Sequence, residues 1–161
     1  MFGGIECAQL RKHIIKPTLE VLDRMIPYSR AAENLLLGTA AQESHMGRYL
    51  KQIRGPALGI YQMEPETYSD IWVSFLSYRV ELAHVIRRLT LSHMIGDRNQ
   101  LSGNLYLATA MARIHYFRVK EALPKANDVA GLAAYWKSHF NTKLGRGTIQ
   151  QFLDNYKRYI R

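Results

Sequence analysis

Cysteine is almost missing from this chain: Cys7 stands alone among 161 residues. That excludes an internal disulfide and any cysteine-cluster metal site. A free thiol agrees with a reducing compartment, and its place near the terminus argues against a nucleophile. No apolar run approaches the roughly 20 residues that a membrane-spanning helix needs. Residues 1–7 lack the basic region, long apolar core and small-residue cleavage site of a signal peptide, so synthesis in a cytoplasm without a leader is expected. No repeat, low-complexity tract or Pro/Gly/Ser-rich linker divides the chain, which suits one domain spanning 1–161. His13, His45, His84, His93, His115 and His139 are scattered without ligand spacing, so no metal is expected. A phosphate-binding loop, a dinucleotide fingerprint and a Gly-x-Ser-x-Gly elbow are all missing, and no cofactor is implied. Acidic residues are scarce as well: 13 against 22 Lys and Arg leave a formal charge of +9. Such an excess attracts polyanions. The basic residues form no compact tract, however, and a nucleic-acid-binding domain would rest on charge alone.

What is present is helical texture throughout. Pro17 sits where a helix would begin, with Ile15, Leu19, Leu22 and Ile26 at helical spacing and Pro27 as its end. Ser29 is placed to cap a central helix that is apolar nearly all round, carries Glu43 at its C-terminal end and stops at Gly47. Residues 48–64, with Gly55, Pro56 and Gly59, indicate a shaped loop or short hairpin. Pro65 opens a helix with Tyr68, Ile71, Trp72, Phe75 and Leu76 on its apolar face, and another runs from about 79 to 90. After a turn at 96–99, a long helix spans 104 to about 122, and one capped by Asp128 runs to about 139. Thr148 with Gln151 forms a capping box for the last. The pattern predicts a mainly α domain of about seven helices with a small loop or hairpin region at 48–64.

The chemistry rests on two stretches, Ala41-Gln42-Glu43-Ser44 and the segment from Gly55 to Thr67. Glu43 follows Leu35-Leu36-Leu37-Gly38-Thr39-Ala40-Ala41, so poor hydration should keep it protonated near neutrality and able to donate a proton. Gly55 and Gly59 would let backbone approach a ligand. Tyr61 and Met63 could pack on a sugar face, and Gln62 offers a donor and an acceptor to an acetamido group. Ser44 could hydrogen-bond the carboxylate or cap the turn, and His45 borders the motif. Cleaving a sugar acetal needs such a proton donor together with stabilisation of an oxocarbenium-like transition state.

Glu43-Ser44 followed by Gly59-Ile60-Tyr61-Gln62-Met63-Glu64-Pro65-Glu66-Thr67 resembles the lysozyme-like lytic transglycosylase family, with Ile60-Tyr61 in place of the usual Leu-Met. The resemblance implies a lysozyme-like domain with Glu43 as catalytic acid/base. Ser44, Gly59, Tyr61, Gln62 and Met63 would form the glycan-binding wall. It also implies that Tyr116 hydrogen-bonds Glu43, and it suggests Asn141 as a contact to a substrate amide. The segment Trp136-Lys137-Ser138-His139-Phe140-Asn141-Thr142, followed by Gly145-Arg146-Gly147-Thr148, resembles bacteriophage-encoded members. The implied substrate is peptidoglycan, cut between N-acetylmuramic acid and N-acetylglucosamine by a monomer that the anionic envelope attracts. Such a protein would be made in a host cytoplasm and act on the cell wall, as an endolysin or carried in a virion.

A hydrolase of this class would need a second carboxylate at a set distance from the first. Glu64, Glu66 and Asp70 are the candidates; Glu66 and Asp70 fall in a first helical turn, where acids suit the dipole, which leaves Glu64. A lytic transglycosylase needs Glu43 alone, because the substrate's own C6 hydroxyl closes a 1,6-anhydro ring. The alternatives are therefore a hydrolytic muramidase with the same acid and a catalytically inactive virion structural protein.

Overall fold

A computed structural model describes residues 3–91, 97–141 and 145–161. It is mainly α, with seven helices and no strands among the described residues. The first helix, α1, covers residues 7–22 and is continuous: Cys7–Leu10 leads into a π turn, Arg11–Ile15, and then into Lys16–Leu22. It begins ten residues before the proline expected to open it. Glu6 caps it by accepting from the Ala8 and Gln9 amides, so Pro17 lies inside the helix. Proline has no N–H to return to the preceding turn. The widened turn absorbs that gap, and the Tyr106 hydroxyl donates to the His13 carbonyl at 3.3 Å.

Helix α2, Arg30–Ser44, opens on Ser29, whose hydroxyl accepts from the Ala32 amide as expected. Ten of its fifteen residues are buried, which makes it the axis of the core. Pro65 occupies the first turn of α3, residues 65–75, and Tyr68, Ile71 and Phe75 turn inward from it. A 3₁₀ turn, Leu76–Tyr78, connects it to α4, Val80–Leu89. The turn expected at 96–99 starts at Gly96, outside the described residues; from Asp97 the chain makes a 3₁₀ turn, Arg98–Ser102.

Helix α5, Leu105–Phe117, is capped by Asn104 and ends five residues earlier than the pattern suggested. The amides of Arg118 and Val119 close its last turn, and the chain from there to Asp128 is irregular. Asp128 caps α6, residues 129–141, whose first part is Val129–Trp136 and whose end is a π turn, Lys137–Asn141. Helix α7, Ile149–Tyr159, carries the Thr148/Gln151 capping box.

The core is one cluster around α2, with Leu36, Leu37, Ala110, Ile114, Trp136 and Phe152 all without exposed surface. Gly38 sets how close α7 comes. A Cβ there would overlap the Phe152 ring, which is itself wedged against Trp136 (5.4 Å between centroids) and Tyr156 (6.1 Å). Alanine is the better helix former by about 1 kcal/mol, but overpacking a filled core costs about 1–3 kcal/mol. Gly38→Ala should therefore lose stability, read as a lower denaturation midpoint in urea; a rise would show that Phe152 can move aside.

Residues 48–64 form a small lobe over the end of α2. Isolated antiparallel bridges pair Lys51 with Leu58 and Leu58 with Met63. The amides of Leu58 and Met63 exchange hydrogen bonds at 2.9 Å, and the Gly59 amide donates to the Leu50 carbonyl at 2.8 Å. This is the short hairpin region expected from the glycines and Pro56.

Candidate active site

Helix α2 ends in Glu43-Ser44, and the chain then turns through His45, Met46 and Gly47, all left-handed with φ of 51°, 62° and 82°. The stop expected at Gly47 is thus made two residues earlier, by His45. Non-glycine residues enter this region only at a cost. Here several bonds hold the turn: the Met46 amide donates to the Ala40 carbonyl at 3.0 Å, and the His45 ring lies 3.1 Å from the Tyr159 hydroxyl.

Ser44 does not face Glu43. Its hydroxyl donates to the Ile60 carbonyl at 2.6 Å and accepts from the Gly47 amide at 2.8 Å, in a place without solvent exposure. A serine has one proton to give, and this one fastens the helix end to the lobe. Ser44 is a structural tie, not a substrate contact.

Glu43 itself is mostly withdrawn from water at the end of α2. Its Oε1 accepts from the Trp136 indole N–H at 2.8 Å. Burial pushes its pKa from 4.5 up to about 7, and the Trp136 hydrogen bond, which favours the ionised form, opposes that rise. Such a carboxyl carries its proton near neutrality and gives it up readily. No second carboxylate among the described residues figures in that shift. By contrast, burial and Arg118 hold His115 down to about 4, and burial with Arg158 and Arg48 lowers His45, so both are neutral near pH 7.

The motif segment is built differently from the expectation. Tyr61 and Met63 are 1% and 3% exposed, inside the core, and cannot stack on a sugar face. The Tyr61 hydroxyl meets Thr109 Oγ1 at 3.0 Å. Leu58, Ile60, Tyr61 and Met63 are all buried because the lobe packs on α2, through Ser44, and on α5, through Thr109. Gly59, at φ 78°, is needed for close approach to the protein itself: a Cβ there would collide with the Leu101 carbonyl. Gln62 is part-exposed at φ 48°, and its amide nitrogen donates to the Gly59 carbonyl at 2.8 Å, so its donor closes its own turn. Of the expected glycan wall, only Gln62 keeps exposed surface.

Tyr116 is near Glu43 without bonding it. Thr39 Oγ1 spends its proton on the Leu35 carbonyl (2.7 Å), so the Tyr116 hydroxyl, 2.7 Å away, donates to Thr39 and has no proton left for Glu43. Asn141 Oδ1 accepts from the Lys137 ammonium at 2.7 Å, so it is engaged within the protein at the end of α6. Glu64 is exposed at the N-cap of α3 and makes no side-chain capping bond.

The partner that sequence reasoning missed is Trp136. A buried indole N–H requires an acceptor, and Trp136 has no exposed surface. A tryptophan on a buried helix is a signal that it has such an acceptor; its identity, across 93 residues of sequence, is set by packing. Among the described residues no cluster of His, Cys, Asp and Glu could hold a metal ion, and no helix is long and apolar enough to cross a membrane. A hollow of about 840 Å³ lies elsewhere, between Val21 of α1 with Arg24 and Met25 of the turn that follows it and Val80, His84 and Arg88 of α4. In comparisons with protein-family models, with curated proteins and with solved structures, none matched this chain.

Proposed function

We propose that the chain is a peptidoglycan-degrading glycosidase with Glu43 as its one acid/base, acting as a lytic transglycosylase in phage-type lysis of the cell wall. The observation that carries this reading is the state of Glu43: a carboxyl at the end of the central helix, held by one indole N–H, with a pKa near 7 from burial. The motif of residues 43–44 and 59–67 supports it through its resemblance to lysozyme-like lytic transglycosylases.

In the proposed reaction, Glu43 gives its proton to the glycosidic oxygen as the bond from the muramoyl C1 breaks. Positive charge builds on C1 and the ring oxygen. The muramoyl C6 hydroxyl then attacks C1 while its proton passes to the Glu43 carboxylate. The product ends in 1,6-anhydro-muramic acid, and the enzyme returns protonated. A group that is acid and then base in one turnover works best with a pKa near the working pH. Among the described residues no second carboxylate figures in the Glu43 shift, and this route needs none.

One observation favours a different reading. Ser44, Gly59, Tyr61, Met63 and Tyr116 all serve the core, so an inactive virion protein could keep them for stability alone. Mass spectrometry of purified peptidoglycan treated with the protein separates the readings. Anhydro-muramic ends are expected. Reducing muramic ends would replace the transglycosylase with a hydrolase, and no soluble product would favour the inactive domain.

A further inference from the structure

Beyond Glu43 and Trp136, the end of α6 carries a cation that the proposed chemistry does not use. The Lys137 ammonium donates to Asn141 Oδ1 at 2.7 Å, to the Gly145 carbonyl at 2.9 Å and to the Gly147 carbonyl at 2.7 Å. An ammonium has three protons, and all three are spent inside the protein. Lys137 is therefore not a free surface charge waiting for a polyanion. Its bonds fold the segment 145–147 back over the helix from which Lys137 itself projects. There Gly147 packs closely against the Trp136 ring: a Cβ on Gly147 would stand 2.6 Å from the indole Cη2, 3.1 Å from Asn141 Nδ2 and 3.2 Å from Gln42 Nε2. The indole also packs on Phe152, with ring centroids 5.4 Å apart. The ring that reaches Glu43 is thus packed by both Phe152 and Gly147, and Lys137 holds the second of them.

We infer that Lys137 is a positioning residue whose ammonium clamps residues 145–147 onto Trp136 and so fixes the indole N–H on the Glu43 carboxyl. The catalytic consequence rests on the function proposed above, but the clamp itself does not. The side chain has to be cationic and multiply donating, because a neutral residue would leave two backbone carbonyls and Asn141 Oδ1 without donors. Gly147 has to lack a Cβ, because one would overlap the edge of the indole while Lys137 holds the same residue's carbonyl. Both requirements fall on residues adjacent to the site, within the segment 136–148 and outside residues 43–44 and 59–67.

The test reads the indole directly. In ¹⁵N-labelled protein, with the Trp136 resonance assigned by comparison with Trp72→Phe, the indole N–H should titrate with a midpoint of about 7 as its carboxylate acceptor ionises. In Lys137→Met the amplitude of that titration should fall by about half or more, and Lys137→Arg should restore much of it, since a guanidinium also offers several donors. Gly147→Ala, which forces the segment off the ring while keeping Lys137, should reproduce the loss. If Lys137→Met does not fold by its amide spectrum, Gly147→Ala alone decides. A wild-type indole titration in either folded variant overturns the proposal. Turnover of peptidoglycan should drop by up to about 10²-fold in Lys137→Met with KM little changed, the size expected of a catalytic group misplaced by about 1 Å. If the wild-type protein releases no anhydro product, the functional proposal fails, yet the indole titration still decides the clamp.

Discussion

Glu43→Gln should abolish release of anhydro-muropeptides and at the same time yield a protein more stable than the wild type at alkaline pH. Removing a general acid costs about 10²–10⁴-fold in rate. Here the loss should reach the upper end or beyond, because the same group serves as acid and base. The stability gain follows from the direction of the pKa shift. In the unfolded chain Glu43 has a pKa of 4.5; in the folded protein burial raises it to about 7. Between these values the folded state binds more protons, so stability falls as pH rises through the window. Below about pH 4.5 the carboxyl is neutral in both states and Gln matches it. Above about pH 7 the wild type bears the full cost of an ionised, desolvated carboxylate, about 3 kcal/mol at 1.36 kcal/mol per unit of pKa. Urea denaturation at pH 4 and pH 8 measures the difference: nearly equal midpoints at the first, a clearly higher midpoint for Glu43→Gln at the second. Parallel curves at both would mean that Glu43 is hydrated and ordinary, and the candidate acid would be lost with it.

The second large effect lies at the other end of α2. Glu33 has no exposed surface, yet it is charged and multiply paired. Arg11 of α1 donates to its Oε2 at 2.5 Å and Arg30 at 2.8 Å, and the Tyr28 hydroxyl donates to Oε1. Arg11 also holds Asn34 Oδ1 at 2.9 Å, and Asn34 donates to the Ala126 carbonyl at 2.8 Å. One acid thereby ties α1, the start of α2 and the chain before α6. Glu33→Ala would strand the Arg11 guanidinium, whose side chain is 19% exposed, and orphan the phenol. Breaking a buried pair in this way costs about 3–5 kcal/mol, which for a domain of this size lowers Tm by roughly 10 °C. Arg30→Ala is the control: that side chain is 60% exposed, so its pair should be worth under about 1 kcal/mol. A Glu33→Ala loss no larger than the Arg30→Ala loss would show that the cluster is decorative.

Most of the helical layout was legible because caps and periodicity are local. Ser29, Asn104, Asp128 and the Thr148/Gln151 pair each mark a helix start with side-chain oxygens that accept the first free amides. Pro17 misled for an equally local reason. Proline usually opens helices, and only a π turn with an outside donor lets it sit within one. The ends of α5 and α6 were blurred because nothing in the chain there breaks a helix as sharply as a cap begins one.

At the site, the residue types of the motif gave the wrong addresses for several side chains. An aromatic, a methionine and a serine beside a candidate acid read as a binding wall, whereas here they are the packing that attaches the lobe to α2 and α5. The sequence by itself determined a mainly α fold, a central apolar helix that delivers one carboxylic acid to its end, and a basic charge balance, because composition, periodicity and capping act over a few residues. Only the tertiary structure decided which partner that acid has, that Tyr116 spends its proton on Thr39, and that Lys137 braces Trp136. Those outcomes depend on contacts between residues far apart in the chain, where close packing and the need to pair every buried polar group select one arrangement.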